Sequence, residues 1–242
     1  MYAIFLKEIR SFLGSLIGYI VMGVFLLLSG LFTWFIEGNN VFDLGMAGLP
    51  TLFGLAPYML IFLVSAVTMR SLSEEKRLGT LETLTTRPVS DLGIIMGKYL
   101  AAVALIAISL IPTLFYAYSV AQLATPAGNI DYGALWGSYF GLILLSACYA
   151  SIGLFASSTT DNQIVSLIIS MVLSLFFFEV LSLMGDIEWL DRIGKSLEWF
   201  SLNFHYESIS RGVLDTRDLL FFGSFAALFI ALTKTQFESR KW

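Results

Sequence analysis

The chain has 242 residues, of which 57% are hydrophobic and 13% charged, with a net charge of −4 and a mean hydropathy of +0.81. A soluble domain carries about 25% charge, and a soluble core of this size cannot hide so much apolar surface without leaving aggregating patches. These values exclude a soluble enzyme, a disordered tail and a nucleic-acid binder, and point to a chain whose solvent is the lipid bilayer.

Residues 2–13, YAIFLKEIRSFL, set Phe5, Ile9, Phe12 and Leu16 on one helical face, with Lys7, Glu8, Arg10 and Ser11 elsewhere. That pattern predicts an amphipathic helix lying in the membrane interface. Lys7 and Arg10 precede an apolar run, but it is too long for a signal-peptide core and lacks a small-residue exit, so it reads as a permanent anchor. Stretches without charge run over 11–36, 44–69, 99–130, 132–160, 162–178 and 219–233. A crossing helix needs about 20 apolar residues. Six spans are expected near 15–36, 52–70, 95–121, 134–157, 163–184 and 218–236, within a single membrane domain over 1–242. The fifth must take in Glu179, and the sixth needs Lys234 to snorkel. The fold class is an all-α integral membrane protein.

The loops orient it. Lys7, Arg10, Arg70, Lys76, Arg77, Arg87, Lys98, Lys234, Arg240 and Lys241 fall on one side, and only Arg192, Lys195, Arg211 and Arg217 on the other. The positive-inside rule puts both termini in the cytoplasm. One departure is the tight loop 158–162, expected inside yet without a basic residue. The main cytoplasmic loop, 71–90, offers Ser73 as a helix cap, with Glu74 and Glu75 near the positive end. Leu78, Leu81 and Leu84 form an apolar ridge, Gly79 weakens the helix, and Pro88 breaks it before Ser90 or Asp91 caps the third span. The extracytoplasmic segment 185–217 mixes Trp189, Trp199, Phe200 and Phe204 with acids, as short re-entrant helices would at the headgroup boundary.

Catalytic chemistry is hardly represented. His205 is the single histidine, and Cys148 the single cysteine. Gly194-Lys195-Ser196 resembles the tail of a P-loop, but Trp189 stands where its first glycine is required. Glu179 is the one acid well inside a span: either a functional carboxylate or a structural one, wet or hydrogen-bonded near the outer end of span five. Gly133, Gly137 and Gly141 recur at four-residue spacing, as do Gly93/Gly97 and Gly14/Gly18, and suit close helix packing. Pro57 and Pro112 suit kinks.

The stretch SLSEEKRLGTLETLTTRPVS at 71–90 resembles the E-E-K-x-x-G-T-L-E-x-L…P-[VI]-S signature of type-2 ABC exporter permeases. The interfacial helix, six spans and both ends inside extend the likeness over the whole chain. HYESISRGVLDTRDLLFF at 205–222 and AVTMRS at 66–71 are similar to the GldF subgroup of gliding-motility permeases. The resemblance implies a transport subunit of the bacterial cytoplasmic membrane that is not itself an enzyme. It implies no cofactor and no metal on this chain, with ATP and Mg on a separate ABC ATPase (GldA-like). It also implies a second membrane subunit, GldG-like or a second copy. It assigns a coupling helix to the loop after span two, carried by Glu74, Glu75, Lys76, Arg77, Gly79, Thr80, Leu81 and Glu82. A self-sufficient ion-coupled secondary transporter is the rival reading, for which Glu179 would be the coupling acid.

His205, Tyr206, Arg211, Asp215, Arg217 and Asp218 crowd the entrance to span six. They read either as an outer rim against the partner membrane subunit or as anchors that fix the depth of the span. Arg211 and Asp215, four apart, suit an intrahelical ion pair.

Overall fold

The computed structural model describes residues 1–80, 90–126, 128–187 and 191–238. Helix α1 covers Tyr2–Leu13, α2 Leu16–Trp34 and the single turn α3 Val41–Leu44. Helix α4 covers Pro50–Thr68 and is followed by a short α5, Ser73–Arg77. The third long helix runs as α6, Asp91–Leu110, a 3₁₀ turn at Ile111–Thr113, and α7, Leu114–Leu123. Helix α8 is Tyr132–Thr159. The fifth is α9, Gln163–Leu175, a π-helical segment at Phe176–Val180, and α10, Leu181–Leu183. Two short helices, α11 (Asp191–Trp199) and α12 (Leu202–Ser210), lead to α13, Thr216–Glu238. Six helices are long and apolar enough to cross a membrane, and no strand occurs among the described residues. The protein is an all-α membrane protein.

The starts of these helices are written in the sequence. Ser15 accepts the Gly18 N–H at 3.0 Å, Ser90 that of Gly93 at 3.2 Å, Asp131 that of Ala134 at 3.0 Å and Ser201 that of Phe204 at 3.1 Å. Each cap satisfies an N–H that the first helical turn leaves free. Pro50 opens α4, where its missing N–H costs nothing. Pro112 falls in the 3₁₀ turn that interrupts the third span, and Pro57 lies inside α4.

Helix α8 is the axis of the bundle. Of its apolar stretch 72% is buried, against 28% for the first and fifth spans, so those two are peripheral. Small residues let the neighbours close on it. A Cβ at Gly153 would overlap the Thr68 side chain, 2.8 Å from its Cβ, and Ser65 and Ser170 share a 2.7 Å hydrogen bond. These contacts lock α4, α8 and α9 together at one level. A Cβ at Gly137 would lie 2.5 Å from the Ile209 carbonyl oxygen, and one at Gly141 3.2 Å from the Tyr206 ring, so the absence of side chains there lets α12 seat on α8. A Cβ at Gly97 would lie 3.2 Å from the Ile4 side chain, so the glycine lets α1 seat on α6. Of the glycine repeats, Gly97, Gly137 and Gly141 thus serve packing between helices of this chain.

Several local expectations are corrected. Leu16 does not share the α1 face: it begins α2 and is 76% exposed, while Ile9, Phe12 and Leu13 pack on the core. Ser73 is not a cap but the first residue of α5, and its hydroxyl donates to the Met69 carbonyl. Lys98 is not a loop charge. It lies two turns into α6 and is 2% exposed, because its ammonium finds a complete set of acceptors there. Arg211 does not pair with Asp215, because α12 ends at Ser210 and Gly212 turns the chain with a φ of +84°. Arg211 instead faces Glu207 at 3.7 Å, and Asp215 accepts the Arg217 N–H at 2.9 Å.

Candidate functional site: a buried charge cluster beside the short helix after the second span

At one end of the bundle α5 is fastened from three directions. Ser157, at the end of α8, accepts the N–H groups of Leu72 (2.9 Å) and Ser73 (3.0 Å) and donates to the Met69 carbonyl at 3.2 Å. One hydroxyl thereby satisfies two donors that the start of so short a helix would leave orphaned. Lys76 donates to the Ser158 carbonyl, so the loop that has no basic residue receives one from α5. The third fastening is ionic. Lys98 Nζ reaches Glu8 Oε1 at 2.8 Å, Glu75 Oε1 at 2.9 Å and the Ser71 carbonyl at 2.7 Å. Three donors meet three acceptors, which is what a buried ammonium requires. Lys7 adds a second cation to Glu75 at 3.1 Å. Burial opposes the Lys7 charge, but Glu75, with Glu8 and Glu74 behind it, holds its ammonium above the usual lysine range. Helices α1, α5 and α6 are therefore one electrostatic unit.

Helix α5 shows two sides. Glu75 is buried, Glu74 and Lys76 are half-buried, and Arg77, Leu78, Gly79 and Thr80 are exposed. Gly79 takes a φ of +67°, just past the Leu78 cap, where only glycine fits without strain. Leu78 is 62% exposed, an apolar side chain presented at the tip. Leu81, Glu82 and the rest of 81–89 lie outside the described residues. Lys98, Glu8 and Ser157 were not among the sequence candidates. Lys98 could have been found: it stands seven residues past Asp91 beside Gly97, Ala101 and Ala102, too far inside an apolar helix to lack a partner.

At the opposite end, Glu179 sits in the π-helical segment and accepts the Tyr58 hydroxyl at 2.7 Å, linking the second and fifth spans. The extra residue in the π turn re-aims side chains at this level. Beside Tyr58 lies a cavity of about 470 Å³ whose wall includes Phe53, Phe178, Asn203, Tyr206 and Glu207. Of the six residues near span six, three are buried within the chain. His205 Nδ1 meets Asp218 Oδ1 at 2.7 Å, its Nε2 meets the Trp199 carbonyl at 2.9 Å, and the ring stacks on Phe221 at 3.9 Å. Tyr206 donates to the Phe53 carbonyl at 2.9 Å. Those three hold α12 to α13 and α4. Of the six, Arg211 and Arg217 are exposed and Asp215 half-exposed. No group of three or more His, Cys, Asp or Glu able to hold a metal occurs among the described residues.

Comparison with known proteins returns one family. Among curated proteins none matches the chain. The family model described as "ABC-2 family transporter protein" matches residues 37–204, well over half of the chain, from just past the first span into the start of α12. The chain belongs to the ABC-2 family of transporter membrane proteins.

Proposed function

We propose that this chain is the permease subunit of an ATP-binding-cassette exporter, driven by a separate ATPase that docks on the tip of α5. The observation that carries the reading is the cluster around Lys98. A five-residue helix would ordinarily be a loose turn, yet here ion pairs and paired donors tie it to α1, α6 and α8. A partner that moves α5 must therefore move those helices, which is how a docked element transmits a rigid-body change. The exposed face at Arg77, Leu78, Gly79 and Thr80 is the docking face, with an apolar tip for a groove on the ATPase. ATP and Mg belong to that partner. In this reading both termini and α5 are cytoplasmic.

The similarity of 66–71 and 205–222 to gliding-motility permeases supports a finer version, in which the partners are GldA-like and GldG-like and the complex serves gliding. Arg211 and Arg217 would then face the second membrane subunit across the outer rim. The test is co-purification with the ATPase. Leu78→Asp puts a charge on an exposed tip and leaves the fold alone, so membrane insertion should be normal while the ATPase is lost. Undiminished co-purification would remove the coupling assignment.

A further inference from the structure

Between α1, the end of α4, α5 and α6 lies a cavity of about 280 Å³. Phe12, Val67 and Leu105 form its apolar wall, and Arg70, Glu74 and Glu75 stand on its charged wall. The Lys98 ammonium offers nothing further, since all three of its hydrogens are taken. Arg70 and Glu74 are different. Among the described residues neither side chain forms a hydrogen bond or an ion pair, with each other or with any other group. Arg70 Nε is buried without a partner. So is Glu75 Oε2, on a side chain only 8% exposed. A buried donor and a buried carboxylate oxygen left unmatched are costly. Here they share one cavity, with opposite charges that do not reach each other.

We propose that this cavity binds the zwitterionic headgroup of a phospholipid bearing a primary ammonium. The phosphate lies on the Arg70 guanidinium, whose fork of donors matches phosphate oxygens. The ammonium donates to Glu74 and to the free oxygen of Glu75, and the glycerol end runs along Phe12, Val67 and Leu105. The volume falls just below the ~300 Å³ at which small-molecule pockets begin, so it admits a headgroup and not a whole lipid. Helix α1, which roofs the cavity, is amphipathic, the kind of helix that lies at headgroup depth. A bound lipid would complete the charge cluster between α1 and α5. The headgroup contacts, at Arg70, Glu74 and Glu75, are not those proposed for ATPase docking, although Leu78 and Thr80 of the docking tip also border the cavity.

The experiment uses the full chain without any ATPase, so that failure here says nothing of docking. Native mass spectrometry of the detergent-solubilised protein with equal phosphatidylethanolamine, phosphatidylcholine and phosphatidylglycerol should show the first retained about tenfold over the others, the scale of one charge-assisted hydrogen bond. Phosphatidylcholine has no N–H to donate, and phosphatidylglycerol has no ammonium. Glu74→Gln should bring that preference close to unity, whereas Arg70→Gln, at the phosphate that all three lipids share, should lower the retention of all three together. As a second measurement on the unaltered chain, soluble phosphoethanolamine should displace the bound lipid and inorganic phosphate should not. Equal retention of all three lipids, or equal displacement by inorganic phosphate, would overturn the proposal.

Discussion

Lys98 and Glu75 are joined by a 2.9 Å ion pair that spans two helices and is almost closed to solvent, with side-chain exposures of 1% and 10%. Breaking a buried pair costs about 3–5 kcal/mol where the other charge is left uncompensated; here Lys7, 3.1 Å from Glu75, keeps the cost toward the lower end. Lys98→Met should therefore destabilise the chain on that scale. Adding Glu75→Gln should return part of the loss, with a coupling energy of about 1–3 kcal/mol in a double-mutant cycle. Thermal unfolding in detergent, followed by size-exclusion fluorescence, checks both. Strict additivity would mean that the two groups do not depend on each other.

Ser157→Ala removes one hydroxyl but orphans two buried N–H groups, those of Leu72 and Ser73. The expected cost is about 2 kcal/mol. Because the damage is local to α5, the proposed complex should lose ATPase stimulation more than it loses stability. Steady-state ATP turnover with and without the permease measures this; an unchanged ratio contradicts it.

Gly153→Ala should be harmful although alanine favours helices. The added methyl overlaps the Thr68 side chain, whose Cβ at 2.8 Å is fixed by its own backbone. Overpacking of this kind costs about 1–3 kcal/mol. Gly23→Ala, with nothing within 4 Å of its Cβ, should instead be neutral or stabilising by about 0.5–1 kcal/mol. Melting temperatures of the two variants should move in opposite directions.

Glu179→Gln keeps an oxygen that accepts the Tyr58 hydroxyl and removes only charge. Transport by the complex should survive it. Glu179→Leu, which leaves Tyr58 without its acceptor, should cost about 1 kcal/mol of stability. Complete loss of transport in the Gln variant, with assembly intact, would favour ion coupling.

Asp218→Ala should cost about 3 kcal/mol, since it strips His205 Nδ1 of its buried partner while Nε2 stays on the Trp199 carbonyl. Arg211→Gln, on a pair whose members are 75% and 58% exposed, should change stability by less than about 0.5 kcal/mol. The double variant Arg211→Gln/Arg217→Gln then isolates the proposed rim. Loss of the second membrane subunit with normal insertion supports it, and retained assembly leaves these arginines as depth anchors.

Composition and charge spacing alone determined the membrane class, the number of long apolar helices and most helix starts, because lipid tolerates few charges in a span and caps act within four residues. The EEKRLGT stretch stood out for a similarly local reason, a charge run between two apolar helices, but its proposed coupling role came from resemblance to the permease signature and not from the charges. Which side of that segment is free was decided only by the tertiary structure. Glu75 and Lys98 are 23 residues apart and Glu8 and Lys98 are 90 apart, so their meeting follows from how α1 and α5 fold against α6. The same holds for Ser157, one of many serines in the sequence, which matters because the end of α8 brings it to two free N–H groups. It holds also for Arg211, whose partner was fixed by the turn at Gly212 and not by its spacing from Asp215. Periodicity and capping are short-range and are written along the chain. Satisfaction of buried charges is long-range, and only the packed helices show which cation meets which carboxylate.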